Sequence, residues 1–213
     1  MNQVLLVNQE LGTHADLCLL FQEGDYENVV LDEVETGNDA LRKVVNDSYD
    51  LLILNLDLPN TNILGLINKI RLLNPVLPIL IFSSEIEYIV IKRYLTSGVN
   101  GYCFFRNNNI NEIVKAVGVI SKGKWYISQE MSDLMVEQVL YNKKADRFDS
   151  LDEKEFEIFT HLIKGETVAN IAKIMGVHIP TISVYKTRIL DKLRITNLLE
   201  LKNMVNTSLL IEN

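Results

Sequence analysis

Short apolar runs alternate with amphipathic stretches over residues 1–122, and the pattern turns purely helical towards the end of the chain. The runs at 4–7, 28–34, 50–55, 78–82 and 102–105 have the length of strands. The third, DLLILN, has the continuous apolar interior of a strand buried on both faces. Between and after them, helical spacing predicts helices over 15–22, 37–46, 64–73, 88–97 and 110–121, the fourth ended by Gly98. Five strand–helix units in succession predict an α/β domain over 1–122, a (βα)5 doubly wound parallel sheet. From 123 to 147 the pattern weakens: a helix fits 128–141, and NKKADRFD reads as a polar linker. Residues 148–213 predict an all-α domain of four helices. Its first spans 151–164, where Ser150, Asp152 and Glu153 suit a helix start, and its last spans 198–205.

The middle of that second domain, GETVANIAKIMGVHIPTISVYKTRILDKL, is the most informative stretch. Ile171, Ala172 and Met175 line one face of a short helix, Gly176 has the place of a left-handed C-cap, and Val177 closes the turn. A second helix starts near Pro180, which a first helical turn tolerates. At 100° per residue, Ile182, Ile189, Leu190 and Leu193 share one face, while Pro180, Thr181, Ser183, Val184, Thr187 and Arg188 share the other. One face packs and the other is free to enter a major groove, so the segment reads as a helix-turn-helix with double-stranded DNA as its partner.

Charge qualifies this picture. The 213 residues carry 21 Lys and Arg against 28 Asp and Glu, a net −7 that excludes a protein coating nucleic acid by charge alone. The excess lies in residues 1–147, with 13 bases and 19 acids, against 8 and 9 in residues 148–213. Within 181–194 the sign reverses: Lys186, Arg188, Lys192 and Arg194 face only Asp191. No basic segment precedes an apolar one as in a secretory leader, and no apolar run approaches the roughly 18 residues that span a bilayer. A cytoplasmic protein without membrane contact is expected. Cys18 and Cys103 lie among apolar neighbours and read as buried free thiols. An enzyme lacks its parts: His14, His161 and His178 are scattered, and no glycine-rich phosphate loop or nucleophile–base pair appears. No catalytic residue, cofactor or metal is expected, and His178, in the turn, reads as a cap or phosphate contact.

With five βα units followed by this helix-turn-helix, the chain resembles a response regulator of the NarL/FixJ class, a flavodoxin-like receiver joined to a LuxR-type DNA-binding domain. LDEKEFEIFTHLIKGETVANIAKIMGVHIPTISVYKTRILDKL carries that class's Leu–x3–Glu start, Gly165, the Ile171-Ala172 pair, Gly176-Val177 and the Thr181-Ile182 opening of the recognition helix. The resemblance implies that Ser183, Val184 and Thr187 occupy base-reading positions. Their chemistry suits this, since the hydroxyls can meet either purine edge and Val184 a thymine methyl. Arg188 is the candidate for a bidentate guanine contact, and Thr181, Tyr185, Lys186 and Lys192 for the phosphates. It implies a homodimer too, through the receiver, the C-terminal helix over 198–205, or both.

A receiver moves a phosphoryl group onto an aspartate ending strand three, with Mg²⁺ on an acidic pair after strand one, a hydroxyl after strand four and a lysine after strand five. In this sequence those places hold Asn55, Asn8-Gln9, Ser83 and Phe105, so only the hydroxyl remains. An amide is a poor nucleophile towards phosphorus, and Mg²⁺ wants anionic oxygens that Asn8, Gln9 and Asn55 lack. A degenerate receiver that is not phosphorylated at the usual place is therefore expected. Asp57, Glu10 and Glu85 read as loop charges on the same rim, Arg106 either as a surface arginine or as a partner of Asp57 or Glu85, and Ile63, Leu64 and Phe105 as apolar filling of the old acidic pocket. Tyr102 matches the aromatic that moves with phosphorylation in the class; the face around it, with Tyr94, is an interface candidate. Two functional readings follow: a sequence-specific transcription regulator acting without aspartate phosphorylation, or an adaptor that keeps the fold and regulates a protein partner. Only the first has a reason to keep Thr181, Lys186, Arg188 and Lys192 together.

Overall fold

A computed structural model describes residues 1–9, 12–23, 28–84, 87–105, 109–141 and 145–206. Its sheet has six parallel strands in the order β2-β1-β3-β4-β5-β6: β1 (Gln3–Val7), β2 (Val30–Val34), β3 (Leu51–Asn55), β4 (Ile79–Ser83), β5 (Gly101–Phe104) and β6 (Tyr126–Ile127). The helices that alternate with and follow these strands are α1 (Thr13–Glu23), α2 (Gly37–Asn46), α3 (Ile63–Leu73), α4 (Tyr88–Thr96), α5 (Ile110–Ile120) and α6 (Gln129–Tyr141). Strands β3 and β4 are buried at every position, as their unbroken apolar runs require, whereas edge strand β2 carries the half-exposed Asp32 and the exposed Glu33. One core layer joins Val4, Leu6, Ile53, Phe82 and Cys103 to Leu17 and Phe21 of α1 and Ile113, Ala116 and Val117 of α5.

The sixth strand extends the five expected from the sequence. It pairs with β5 through Gly101↔Tyr126 and Tyr102↔Ile127. Gly101 permits the approach, because a Cβ there would lie 2.8 Å from both the Tyr126 carbonyl oxygen and Ile120 Cδ1. Asn62 caps α3 by accepting a hydrogen bond from the Gly65 amide at 2.7 Å, which accounts for the glycine's place in NTNILG. Arg71, near the end of α3, gathers the ends of several elements. Its Nη1 donates to the Leu77 carbonyl at 2.6 Å, and its Nη2 to the Gly98 carbonyl at 2.7 Å and Asn100 Oδ1 at 3.2 Å. Burial alone lowers the affinity of this guanidinium for its proton.

The C-terminal helices are α7 (Glu153–Ile163), α8 (Val168–Met175), α9 (Ile179–Leu193) and α10 (Leu198–Asn206), preceded by a 3-10 turn over Ala145–Ser150. Asp152 starts α7 with a full capping box: its side chain accepts from the Glu155 amide, and Glu155 accepts in return from the Asp152 amide, both at 2.9 Å. Phe148, Phe156 and Phe159 form a contiguous aromatic core with ring centroids 5.3 and 5.7 Å apart. Ile171, Ala172, Ile182, Ile189, Leu193 and Leu201 are buried as well. The chain divides into two compact units, Met1–Ile86 with Tyr94–Ser132, and Glu87–Arg93 with Asp133–Asn213.

Candidate nucleic-acid interface and receiver pocket

Helix α8 ends at Gly176, whose φ of 65° and ψ of 32° are left-handed, and its amide turns back to the Ala172 and Lys173 carbonyls. The Val177 amide donates to the Ala172 carbonyl at 3.0 Å, which closes the turn. His178 is the N-cap of α9 but makes no side-chain cap bond, and Pro180 sits in the first turn. Ile182, Ile189 and Leu193 face inward at 0% exposure, with Leu190 half-buried beside them. On the opposite side Thr181, Ser183, Thr187 and Arg188 are exposed, and Val184 is 52% exposed. Val184 and, in the first turn, Ile179 at 52% exposure are large apolar side chains that this helix presents outward. Tyr185 and Lys186 lie half-buried on the flank.

Three side chains of this helix have local engagements that periodicity does not reveal. The Ser183 hydroxyl donates to the Ile179 carbonyl at 3.3 Å, and that of Thr187 to the Ser183 carbonyl at 3.2 Å, so in the free protein each keeps lone pairs outward. Lys192 turns away from the groove-facing residues. Its Nζ lies 2.5 Å from Glu155 Oε2 and 3.0 Å from the Ser150 carbonyl, so its charge neutralises a carboxylate whose side chain is 3% exposed. In the sequence Glu155 stands out only as the glutamate of the Leu–x3–Glu start, and its pairing with Lys192 is not foreseen there. A signal is present, as an acid three residues after Asp152 on the apolar face of α7.

At the carboxyl end of the sheet, Asn55 is 2% exposed and Asn8 fully buried. Asn55 Nδ2 donates to Asn8 Oδ1 at 2.9 Å, and Asn55 Oδ1 accepts from the Asp57 amide at 2.8 Å, so both ends of the Asn55 amide are used. Gln9 is exposed beside them. Asp57 is an exposed loop residue that accepts from the Ser84 amide and hydroxyl at 3.2 and 3.1 Å. The Ser83 and Tyr102 hydroxyls are 3.2 Å apart and buried. Burial pushes the Tyr102 phenol above the usual tyrosine range, against the opposing effect of that bond. Phe105 packs edge-to-face on Phe82 with centroids 5.5 Å apart, in the core layer of α1 and α5. Ile63 and Leu64, on α3, are buried like Phe105. The rim charges Glu10, Glu85 and Arg106 lie outside the described residues. Of the two cysteines, Cys103 is buried and Cys18 half-exposed, and both are free thiols. Among the described residues no group of three or more His, Cys, Asp or Glu could hold a metal ion, and no helix is long and apolar enough to cross a membrane.

Residues 4–118, more than half of the chain, match the response regulator receiver domain family. The chain belongs to the response regulators. Residues 149–205 of this response regulator match the bacterial regulatory proteins of the luxR family, on the helices that carry the helix-turn-helix. It is thus a DNA-binding transcription regulator of the luxR type. Its relatives include the virulence-factor transcription regulator BvgA of Bordetella pertussis, 26% identical over 203 residues that cover 94% of each chain. The DNA-binding transcriptional activator EvgA of Escherichia coli is 24% identical over 201 residues, covering 94% of this chain and 95% of that one. Among solved structures, RcsB of Salmonella enterica serovar Typhimurium, bound to promoter rprA with a beryllofluoride phosphomimetic, shares the fold. Its TM-score is 0.69 at 20% identity, over 96% of this chain and 98% of that one.

Proposed function

We propose that this response regulator reads a specific operator through α9 and works without phosphorylation of its receiver. The observation that carries the second half is the buried Asn55–Asn8 amide bond at the place where the family's resemblance puts an acceptor aspartate and a metal-binding acid. Neither amide offers the anionic oxygens that a Mg²⁺ ion and an attacking nucleophile require, and Phe105 supplies no cation for a product phosphate. Amount, or a partner protein on the receiver, then sets its activity.

For the first half, the exposed row Thr181, Ser183, Val184, Thr187 and Arg188 supports base and backbone contacts, with Lys186 beside the phosphates and Tyr185 next to Arg188. Lys192 joins these only by giving up Glu155, so its role in binding is secondary. A single such helix touches too few base pairs for useful discrimination, which favours a dimer on half-sites about one helical turn apart. Leu199, 69% exposed on α10, is an apolar contact suited to that pairing, and RcsB dimers have been solved on DNA.

Incubation with acetyl phosphate, or with beryllofluoride and Mg²⁺, should leave mass, oligomeric state and DNA affinity unchanged. A stoichiometric phospho-adduct on the first domain would overturn the phosphorylation-independent reading. Selection from random duplexes should enrich a pair of short half-sites.

A further inference from the structure

Arg188 and Tyr185 are three residues apart on α9, and the Arg188 Cζ lies over the Tyr185 ring, 5.8 Å from its centroid. Arg188 is exposed and Tyr185 half-buried, so the ring is fixed on the body of the helix and the guanidinium rests on it from the solvent side. An exposed arginine otherwise samples many rotamers, and ordering it opposes any contact it makes. A cation held over an aromatic face keeps the N–H edge of its planar fork free, and that edge is what meets guanine O6 and N7.

We propose that Tyr185 is a positioning residue: it holds the Arg188 guanidinium in the orientation that reads one guanine of each half-site, and its phenolic hydroxyl is not the group that matters. The inference rests on the DNA-reading role of α9 and deepens it. The neighbouring hydroxyls sharpen the operator chemistry. Ser183 and Thr187 spend their protons on helix carbonyls and turn lone pairs outward, so the bases beside that guanine present amines, from adenine N6 or cytosine N4.

A phosphate-clamping Tyr185 acts through its hydroxyl and affects all sequences alike; a positioning Tyr185 acts through its ring and affects one base pair. Full-length parent, Tyr185→Phe, Tyr185→Ala, Arg188→Ala and the double variant are therefore compared on the selected operator and on duplexes changed at single positions. Arg188→Ala should lose about 5- to 150-fold discrimination at one guanine. Tyr185→Ala should lose about 2- to 5-fold at that same position, and Tyr185→Phe should match the parent. In the Arg188→Ala background, Tyr185→Ala should change discrimination there no further. Thermal unfolding midpoints, expected to stay close to the parent, separate this from a folding defect; Tyr185→Leu serves if the alanine variant unfolds. Equal losses from Phe and Ala, a Tyr185→Ala loss uniform over all duplexes, or additive single and double effects would each overturn the proposal. Loss of discrimination in Arg188→Ala with none in Tyr185→Ala overturns the positioning role and leaves the DNA reading intact. A parent that enriches no motif overturns both.

Discussion

Replacing Asn55 with aspartate restores the residue type that a phosphorylatable receiver would have, and here it should destabilise the protein. Asn55 is 2% exposed, and its Nδ2 donates to Asn8 Oδ1 at 2.9 Å. An aspartate carboxylate places an oxygen where that donor was, facing the lone pairs of Asn8, while only the Asp57 amide remains as a donor to it. The lost hydrogen bond contributes about 1 kcal/mol, and the buried acceptors left unpaired cost about 1–3 kcal/mol more. The sum is about 2–4 kcal/mol at pH 7.5. Protonation repairs the site, because the acid O–H replaces the amide N–H as donor to Asn8. The folded-state acid is thus weaker than the unfolded one, so the variant's stability is fully present below the ordinary aspartate value near 3.9 and is lost as pH rises. The gap to the parent widens by about 1.4 kcal/mol per pH unit and then levels off. Unfolding in urea at pH 4.5 and 7.5, with and without Mg²⁺, measures this. A variant as stable as the parent at pH 7.5, a gap that does not close on acidification, or a full rescue by millimolar Mg²⁺ would show that the pocket still accommodates an anion or a cation and would refute the reasoning.

Two further outcomes follow from the ion pairs. Lys192→Met strands the Glu155 carboxylate, and should cost the C-terminal domain about 1–3 kcal/mol. This is less than the ~3–5 kcal/mol of a fully buried broken pair, because Lys192 is itself 39% exposed. Its thermal midpoint should fall while the salt dependence of DNA binding stays near that of the parent; a salt slope reduced by about one with unchanged stability would make Lys192 a phosphate clamp instead. At the edge of the sheet, hydrogen bonds from the Tyr49 hydroxyl at 2.6 Å and the Lys43 ammonium at 3.1 Å hold the Asp32 carboxyl below its usual range. That stabilisation is present above the unfolded value and lost as pH falls through the folded one. Asp32→Asn should therefore flatten the decline in unfolding midpoint between pH 5 and 3, and an unchanged decline would remove Asp32 from the acid response.

Periodicity places most elements because burial on one or both faces leaves a local mark, as in the unbroken run of β3 and the Gly176 turn before α9. It does not yield β6, where two residues, Tyr126 and Ile127, are too few to show alternation and pair only because Gly101 lacks a side chain. Loss of the acidic set is legible residue by residue. Its outcome is not, since the bond between Asn8 and Asn55 spans 47 residues and depends on strands β1 and β3 lying side by side. The Lys192–Glu155 pair is hidden for the same reason: a lysine on a recognition helix reads locally as a phosphate contact, and only the packing of α7 on α9 shows what its charge is for.

The Arg71 guanidinium holds carbonyls at the end of α3, before β4 and after α4, and shares Asn100 Oδ1 with the Ile79 amide. None of these ends can fray alone without leaving a half-buried cation short of acceptors. This corner of the sheet should therefore open as one cooperative unit, with the amides of Leu77, Ile79 and Asn100 exchanging with solvent at a common opening free energy in hydrogen-exchange measurements.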